Sequence, residues 1–203
     1  MSPKQCILRI CCLVGALTLL LGCASKQPAP SKDQMEPPEV SLKSFQVPQY
    51  DGYWYYSGKI EPTKGQAGDH GAPLLMSFLF AVHNPNPFPV RLDSMTFTVA
   101  VEGFSLMTVN SNDVNWVPAE RTDEIRLNPL VTTRSALLNL LVTGGSKLKE
   151  KGMSPWQAME RWWTKLPSLE IPVQIKEGSA MFRADGISEV IAFREVYPPE
   201  DEE

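Results

Sequence analysis

The chain has 203 residues, of which 43% are hydrophobic and 21% are charged. This length and composition are typical of one globular domain and exclude a wholly disordered chain. The formal net charge is −4, and an acidic chain is not expected to bind nucleic acid or an anionic membrane surface.

Residues 1–22 have the features of a signal peptide. Lys4 and Arg9 supply the positive charge, and the run from Cys11 to Leu21 is almost entirely apolar. A run of this length is too short to cross a bilayer as a helix, whereas it is typical of an export signal. The sequence therefore predicts an exported protein.

The end of this run, Leu20-Leu21-Gly22-Cys23, resembles the bacterial lipobox. In lipoproteins a peptidase cuts before the cysteine, and the cysteine thiol accepts the lipid. We therefore expect cleavage between Gly22 and Cys23 and membrane attachment through lipid on Cys23. Since residue 24 is Ala, and not the Asp that commonly retains lipoproteins in the inner membrane, an outer-membrane location facing the periplasm is expected. The alternatives are an ordinary signal peptide with a chance cysteine and an uncleaved anchor.

The cysteine positions agree with this interpretation. All four cysteines (Cys6, Cys11, Cys12 and Cys23) lie within the first 23 residues. An exported domain often contains disulfides, but no cysteine is available for one in the later part of this chain. Cys23 therefore needs a role other than an internal bridge.

The mature chain divides into three parts. Residues 23–38 are rich in proline and lack apolar periodicity, which predicts an extended tether. Residues 39–197 carry the folded domain. Residues 198–203 form a short acidic tail that is expected to be solvated.

The folded part shows mainly the two-residue periodicity of strands. Alternation is clearest in residues 95–101 and 169–176, and nearly continuous apolar runs cover residues 74–82 and 136–142. Residues 40–47, 53–60, 123–127 and 189–197 are further strand candidates. About eight strands with short links predict an all-β, antiparallel β-sandwich.

One short inserted helix is predicted from Ser154 to Leu166. Ser154 is a good N-cap, Pro155 suits the first helical position, and Pro167 ends the element. The helical stripe consists of Trp156, Met159, Trp163 and Leu166. Trp162 lies beside this stripe, where burial is favoured over the alternative of an exposed contact residue.

The densest aromatic cluster is Tyr53-Trp54-Tyr55-Tyr56. On a strand, Tyr53 and Tyr55 share one face and Trp54 and Tyr56 share the other. Core packing is the favoured role of at least one face. The alternative is a binding surface made by Tyr53, Tyr55 and Trp162, because aromatic side chains combine apolar area with a polar tip.

The sequence offers no constellation for catalysis or metal binding. The two histidines, His70 and His83, have no metal-ligand spacing, and no cysteine of the folded part can join them. His70 lies in the glycine-rich stretch 65–71, where it is expected to be solvated, and residues 144–147 are expected to form a turn after a strand. We therefore predict a non-enzymatic protein without a cofactor.

The most informative motif is Asn84-Pro85-Asn86-Pro87, which follows the apolar run ending at Val82. The prolines remove two backbone donors and hold the asparagines extended, and the asparagine amides can replace lost backbone partners. A structural turn role is therefore favoured over ligand binding.

This motif, placed between two strands, resembles the late embryogenesis abundant type 2 family, which includes the water-stress and hypersensitive-response (WHy) domain. The resemblance covers residues 39–197. It implies a sandwich of immunoglobulin or fibronectin III-like shape, an association with desiccation and other stress, and no catalysis.

Two functions follow as hypotheses. The first is a protective, membrane-anchored protein of the cell envelope, active in desiccation or envelope stress. The second is an accessory lipoprotein that binds a protein partner within an envelope complex.

Overall fold

The computed structural model describes residues 35–50, 52–53 and 72–199. Several predictions lie outside these residues: the signal peptide, the cleavage site at Gly22 and Cys23, the tether up to residue 34, and residues 200–203 of the tail. The predicted strand at residues 53–60 also falls almost entirely outside them, together with Tyr55, His70 and the stretch 65–71.

The described part contains nine strands and three helices. The strands are β1 (Glu39–Gln49), β2 (Pro73–Asn84), β3 (Val90–Val101), β4 (Phe104–Ser111), β5 (Asn115–Val117), β6 (Arg121–Leu127), β7 (Leu130–Thr132), β8 (Val173–Ala184) and β9 (Ile187–Tyr197). The helices, all between β7 and β8, are α1 (Thr133–Thr143), α2 (Gly145–Glu150) and α3 (Pro155–Lys165).

The strands form two antiparallel sheets. One sheet has the order β1-β2-β6, with β7 pairing farther along β2, and the other has the order β4-β3-β8-β9, with β5 pairing with β3. The predicted all-β sandwich is therefore confirmed, although three short helices replace the single one expected.

Alternating burial explains how the two sheets pack. Along β2, the side chains of Leu74, Met76, Phe78, Phe80 and Val82 are fully buried, and the residues between them are mostly half-buried. Phenylalanine rings from the two sheets meet edge to face at the centre of the core: the centroids of Phe80 and Phe97 are 5.2 Å apart. Apolar burial of this kind is the main force that holds a sandwich together.

The strand predicted at residues 136–142 is wrong, because these residues lie in α1. Thr132 and Ser135 form a capping box at its start, and Gly144 caps its end. A short apolar run fits a buried strand and a helix equally well by periodicity alone. Gly144 alone links α1 to α2, and residues 145–147 are the first turn of α2, so the turn after a strand predicted at residues 144–147 is also wrong.

The strand predicted at residues 169–176 begins later than expected. β8 starts at Val173, while Leu169 has a φ of +57° and closes the turn after α3 through a hydrogen bond to the carbonyl of Leu166. Pro172 cannot donate to a sheet ladder, so the pairing starts just beyond it.

The helices lie at the end of the sandwich where β2 begins. The Thr133 amide donates to the carbonyl of Ala72, and the Ala72 amide donates to the hydroxyl of Thr133. We call this end the helical pole. The Asn84–Pro87 motif lies at the other end of β2, which we call the asparagine pole, roughly 36 Å away at about 3.3 Å per residue.

Candidate functional site

The asparagine pole is held together by the side chain of Asn84, which is fully buried. Its Nδ2 donates to the carbonyl oxygens of Phe88, Val117 and Pro118 at 2.9, 3.2 and 3.0 Å. Its Oδ1 accepts from the backbone amide and from Nδ2 of Asn86, at 3.0 and 2.9 Å. This one side chain therefore links the end of β2, the start of β3 and the end of β5.

Asn86 extends these contacts to the segment that leads into β1. Its Oδ1 accepts from the amide of Glu36 at 2.8 Å, and its Nδ2 donates to the carbonyl of Glu36 at 2.8 Å. Its own carbonyl accepts from the amide of Glu120. Both asparagines thus take backbone partners, in agreement with the predicted turn role, while Pro85 and Pro87 keep the chain between them extended.

The binding surface predicted from Tyr53 and Trp162 does not form. Tyr53 is 4% exposed and Trp162 is completely buried, so neither ring is available to a partner. Burial raises the pKa of Tyr53, and the neighbouring carboxylate of Glu160 and the hydroxyl of Tyr50 raise it further. Tyr55, the third residue of that surface, lies outside the described residues.

The prediction for the buried face of α3 was partly wrong. Met159, Trp163 and Leu166 are fully buried as expected, and Trp162 is fully buried as favoured from its position beside the stripe, but Trp156 is 42% exposed. The reason is that α3 turns a wider apolar face to the sandwich than a single stripe, and this face has room for adjacent tryptophans. Trp163 Nε1 keeps a partner, the carbonyl of Ala72 at 3.1 Å.

A charged cluster that sequence reasoning missed lies on the β3–β4 turn. Glu102 has a φ of +49° and is followed by Gly103 with a φ of +85°. The Glu102 carboxylate accepts from Trp162 Nε1 at 2.9 Å and from Arg161 Nε at 2.8 Å. Burial by itself raises the pKa of Glu102, but the hydrogen bonds from Trp162 and Arg161 outweigh it, so the pKa is lowered.

One feature of the sequence indicates the turn, but none indicates the cluster itself. Glu102-Gly103 between two apolar strands is the kind of pair that forms a tight turn. Arg161 and Trp162 are adjacent on a helix, but no sequence pattern indicates that they face a residue 60 positions away. The cluster fixes α3 against the sandwich.

An open groove of about 820 Å³ lies beside this turn and is lined by the start of β8 and the end of β9. Its charged lining combines Glu102, Lys176, Glu177, Arg194 and Glu195. Burial raises the pKa of Glu195, while the backbone amide of Leu42 counteracts this shift. The charges are mixed in sign, and the groove therefore has no clear preference for one class of ionic ligand.

The groove also contains a polar atom without a partner. Gln174 Oε1 is buried and accepts no hydrogen bond, although the Gln174 side chain as a whole is half-buried. The lining residues include no serine, threonine, cysteine or histidine. Within the described ranges, no three His, Cys, Asp or Glu side chains converge as they would to hold a metal ion.

The helical pole presents an apolar surface. Leu138, Leu141 and Val142 of α1 are 41%, 53% and 83% exposed, and we call these three side chains the helical face. In the part of the chain that the structure describes, no helix is long and apolar enough to cross a membrane.

Comparison with known proteins links the central part of the chain to one family. Residues 79–178, just under half of the chain, match the model of the family described as late embryogenesis abundant protein. The match includes the Asn84–Pro87 motif, the Glu102 turn and the whole helical region. None of the curated proteins matches the chain in sequence.

Among solved structures, the chain is similar to a protein from Archaeoglobus fulgidus, with 11% identity and a TM-score of 0.41 over 80% of this chain and 93% of that one. It is also similar to a candidate ApaA protein from Bordetella pertussis, with 8% identity and a TM-score of 0.40 over 86% of this chain and 99% of that one. Likeness at this level carries no argument about function. The family match over residues 79–178 supports the resemblance of this sandwich to the late embryogenesis abundant type 2 family.

Proposed function

We propose that this chain is a non-enzymatic lipoprotein of the late embryogenesis abundant type 2 family, anchored in the cell envelope and protective during desiccation or envelope stress. The observation that carries the proposal is the family match, which falls on the sandwich and includes its asparagine motif. The lipobox-like sequence ending at Cys23 supports the anchor, and Ala24 supports an outer-membrane location facing the periplasm.

The contacts of the most distinctive residues support a structural role for them. Asn84 and Asn86 are engaged with backbone groups, and the Glu102 carboxylate is engaged by Trp162 and Arg161. Residues of this kind stabilise a domain without performing chemistry on a substrate. A protective activity would then come from the surface of a stable, anchored sandwich.

The test is survival after drying or osmotic shock. We expect deletion of the gene in its source bacterium to lower survival, the wild-type gene to restore it, and Cys23→Ala to restore it only in part because the domain is no longer anchored. Unchanged survival of the deletion strain, with the envelope intact in both strains, would contradict the protective role.

A second candidate function is that of an accessory lipoprotein that binds an envelope protein. Trp116 on β5 is 57% exposed, and the guanidinium carbon of Arg91 lies 5.8 Å from the centre of its ring. Tryptophan and arginine are the residue types most often found at the energetic centre of protein interfaces. This pair lies near the asparagine pole, where the tether joins the domain.

Mild crosslinking in cells followed by pull-down distinguishes the two functions. One stoichiometric partner that is lost on Trp116→Ala, but kept on Trp156→Ala at the other pole, would favour docking. Trp156 is a matched control because it is also a partly exposed tryptophan, at 42%.

A further inference from the structure

Helix α1 is apolar on both its buried and its exposed sides. Ala136, Leu137 and Leu140 pack into the core, while the three residues of the helical face point outwards at i, i+3 and i+4 spacing. A surface helix normally carries polar side chains at such exposed positions. The helical face is therefore an apolar stripe that the described structure leaves uncovered.

Charge is distributed very unevenly between this region and the rest of the chain. Residues 133–165 carry six basic and two acidic side chains, a net charge of +4, whereas the remaining residues carry 13 basic and 21 acidic ones, a net charge of −8. Lys147, Lys149 and Lys151 are exposed close behind α1. The ammonium groups of Lys147 and Lys151 lie at the edge of the β3–β4 turn, where they donate to the carbonyls of Gly103 and Glu102. The net charge of the whole chain argues against an anionic surface as partner, but the local charge of the helical pole favours one.

We propose that the helical face docks on a bilayer surface rich in anionic phospholipid. Leu138, Leu141 and Val142 would enter the boundary between headgroups and acyl chains. Lys149 would lie among the phosphates, and Lys147 and Lys151 would join it by exchanging their exposed contacts with the β3–β4 turn for phosphate oxygens. Apolar area and basic charge add in this kind of interfacial binding. With 11 residues, α1 lies on the surface and does not cross the bilayer.

The reach of the tether fits this arrangement. The segment from Cys23 to Met35 joins the domain at the asparagine pole, where Asn86 holds Glu36. A chain of twelve residues would span about 37 Å in the polyproline II conformation that its prolines favour, which matches the length of β2 between the two poles. The bilayer that holds Cys23 is thus within reach of the helical face. The relevance of the tether's reach rests on the proposed lipid anchor at Cys23, whereas the proposed contact of the helical face with lipid does not.

The experiment is hydrogen exchange on the full-length chain, purified from its own membranes and reconstituted with two kinds of vesicle. One kind contains only phosphatidylcholine, and the other also contains phosphatidylglycerol. We expect slower exchange of the amides of residues 138–143 only with phosphatidylglycerol, and a smaller effect at high salt because salt screens the lysines. The mass of the N-terminal peptide from the same sample reports acylation of Cys23, so that failure of the anchor and failure of the docking are distinguishable.

The variant Leu141→Ser/Val142→Ser tests the assignment to these side chains. We expect the partition of the helical face onto anionic vesicles to fall by about tenfold or more, because two exposed apolar side chains are lost. Val190→Ser is the matched control, since Val190 is 59% exposed on β9, away from the helices, and it should leave the partition unchanged. Both variants alter exposed residues, so circular dichroism should show the wild-type fold.

Three results would overturn the proposal. Equal exchange with both kinds of vesicle would show that anionic lipid is not recognised. Protection that grows with protein concentration in the absence of vesicles would assign the helical face to a second copy of the chain. Wild-type vesicle binding by the double variant, together with loss of a stoichiometric envelope-protein crosslink, would assign the face to a protein partner.

Discussion

Replacement of Asn84 by alanine is expected to destabilise the domain severely. The side chain is completely buried and takes part in five hydrogen bonds, three donated by Nδ2 and two accepted by Oδ1. Since Nδ2 has only two hydrogens, the three carbonyls share them, and the loss is equivalent to about four bonds. At about 1 kcal/mol net for each bond, Asn84→Ala should lower the free energy of unfolding by about 4 kcal/mol.

Urea unfolding followed by far-ultraviolet circular dichroism measures this loss. With a typical dependence of about 2 kcal/mol per molar urea, the midpoint should fall by about 2 M. Asn112→Ala is the matched control, because Asn112 is an exposed loop residue, and its midpoint should stay close to that of the wild type.

Asn84→Asp separates hydrogen bonding from packing at the same position. An aspartate keeps the shape of the side chain but cannot donate, and it places a negative charge against the three carbonyl oxygens. At neutral pH we expect Asn84→Asp to lower the free energy of unfolding at least as much as Asn84→Ala does. On acidification part of that free energy should be recovered, because the protonated acid can donate one hydrogen bond. If Asn84→Ala changed the free energy of unfolding by less than about 0.5 kcal/mol, the structural account of the motif would be refuted.

Two further predictions concern other parts of the sandwich. Glu102→Gln should lower the free energy of unfolding at about pH 7 and lower it less at about pH 3. Folding lowers the pKa of Glu102, so the stabilisation by its carboxylate is present above the unfolded-state pKa and is lost as pH falls through the folded-state value. Urea titrations at both pH values measure this, and an equal loss of free energy at both would contradict it. Gly178→Ala should cost about 1 to 3 kcal/mol, because a Cβ there would lie 2.6 Å from both the ring and the carbonyl of Phe193. Gly145→Ala, which meets nothing within 4 Å, is the control, and equal midpoints for the two alanine variants would show that Phe193 moves aside freely.

The sequence predicted the central strands of the sandwich well, although the alternation at residues 169–176 begins before its strand does. The alternation through residues 95–101 and the apolar run through residues 74–82 both became strands with the expected buried residues. The alternation reflects the pleat of the backbone itself, in which successive side chains point to opposite faces. The motif at Asn84 and Asn86 was likewise readable, because proline and asparagine act on their own local backbone.

The errors arose where tertiary contacts decide between local alternatives. The apolar run at residues 136–142 could be a strand or a helix, and the deciding signal was the capping pair Thr132 and Ser135 at its start. The exposure of Trp156, which was expected on the buried stripe, depends on how α3 is rotated against the sandwich, and the bond from Trp162 to Glu102 takes part in fixing that rotation. No pattern within α3 contains this information.

The exposure of the helical face was also not predictable from the sequence. Leu138, Leu141 and Val142 were predicted within a fully covered strand, but α1 turns them outwards. Only the structure separates the apolar residues that pack into the core from those that remain available to a membrane. The charge asymmetry around them was present in the sequence all along, but it had no meaning before the helices were located.

The most direct test of the account is the mass of the N-terminal peptide of the chain isolated from bacterial membranes. We predict that the mature chain begins at Cys23 and carries acyl chains on that residue, and that the Cys23→Ala variant carries none. An N-terminus that retains residues 1–22, or a chain that begins at an unmodified Cys23, would contradict the proposal that this sandwich works as a lipid-anchored protein of the envelope.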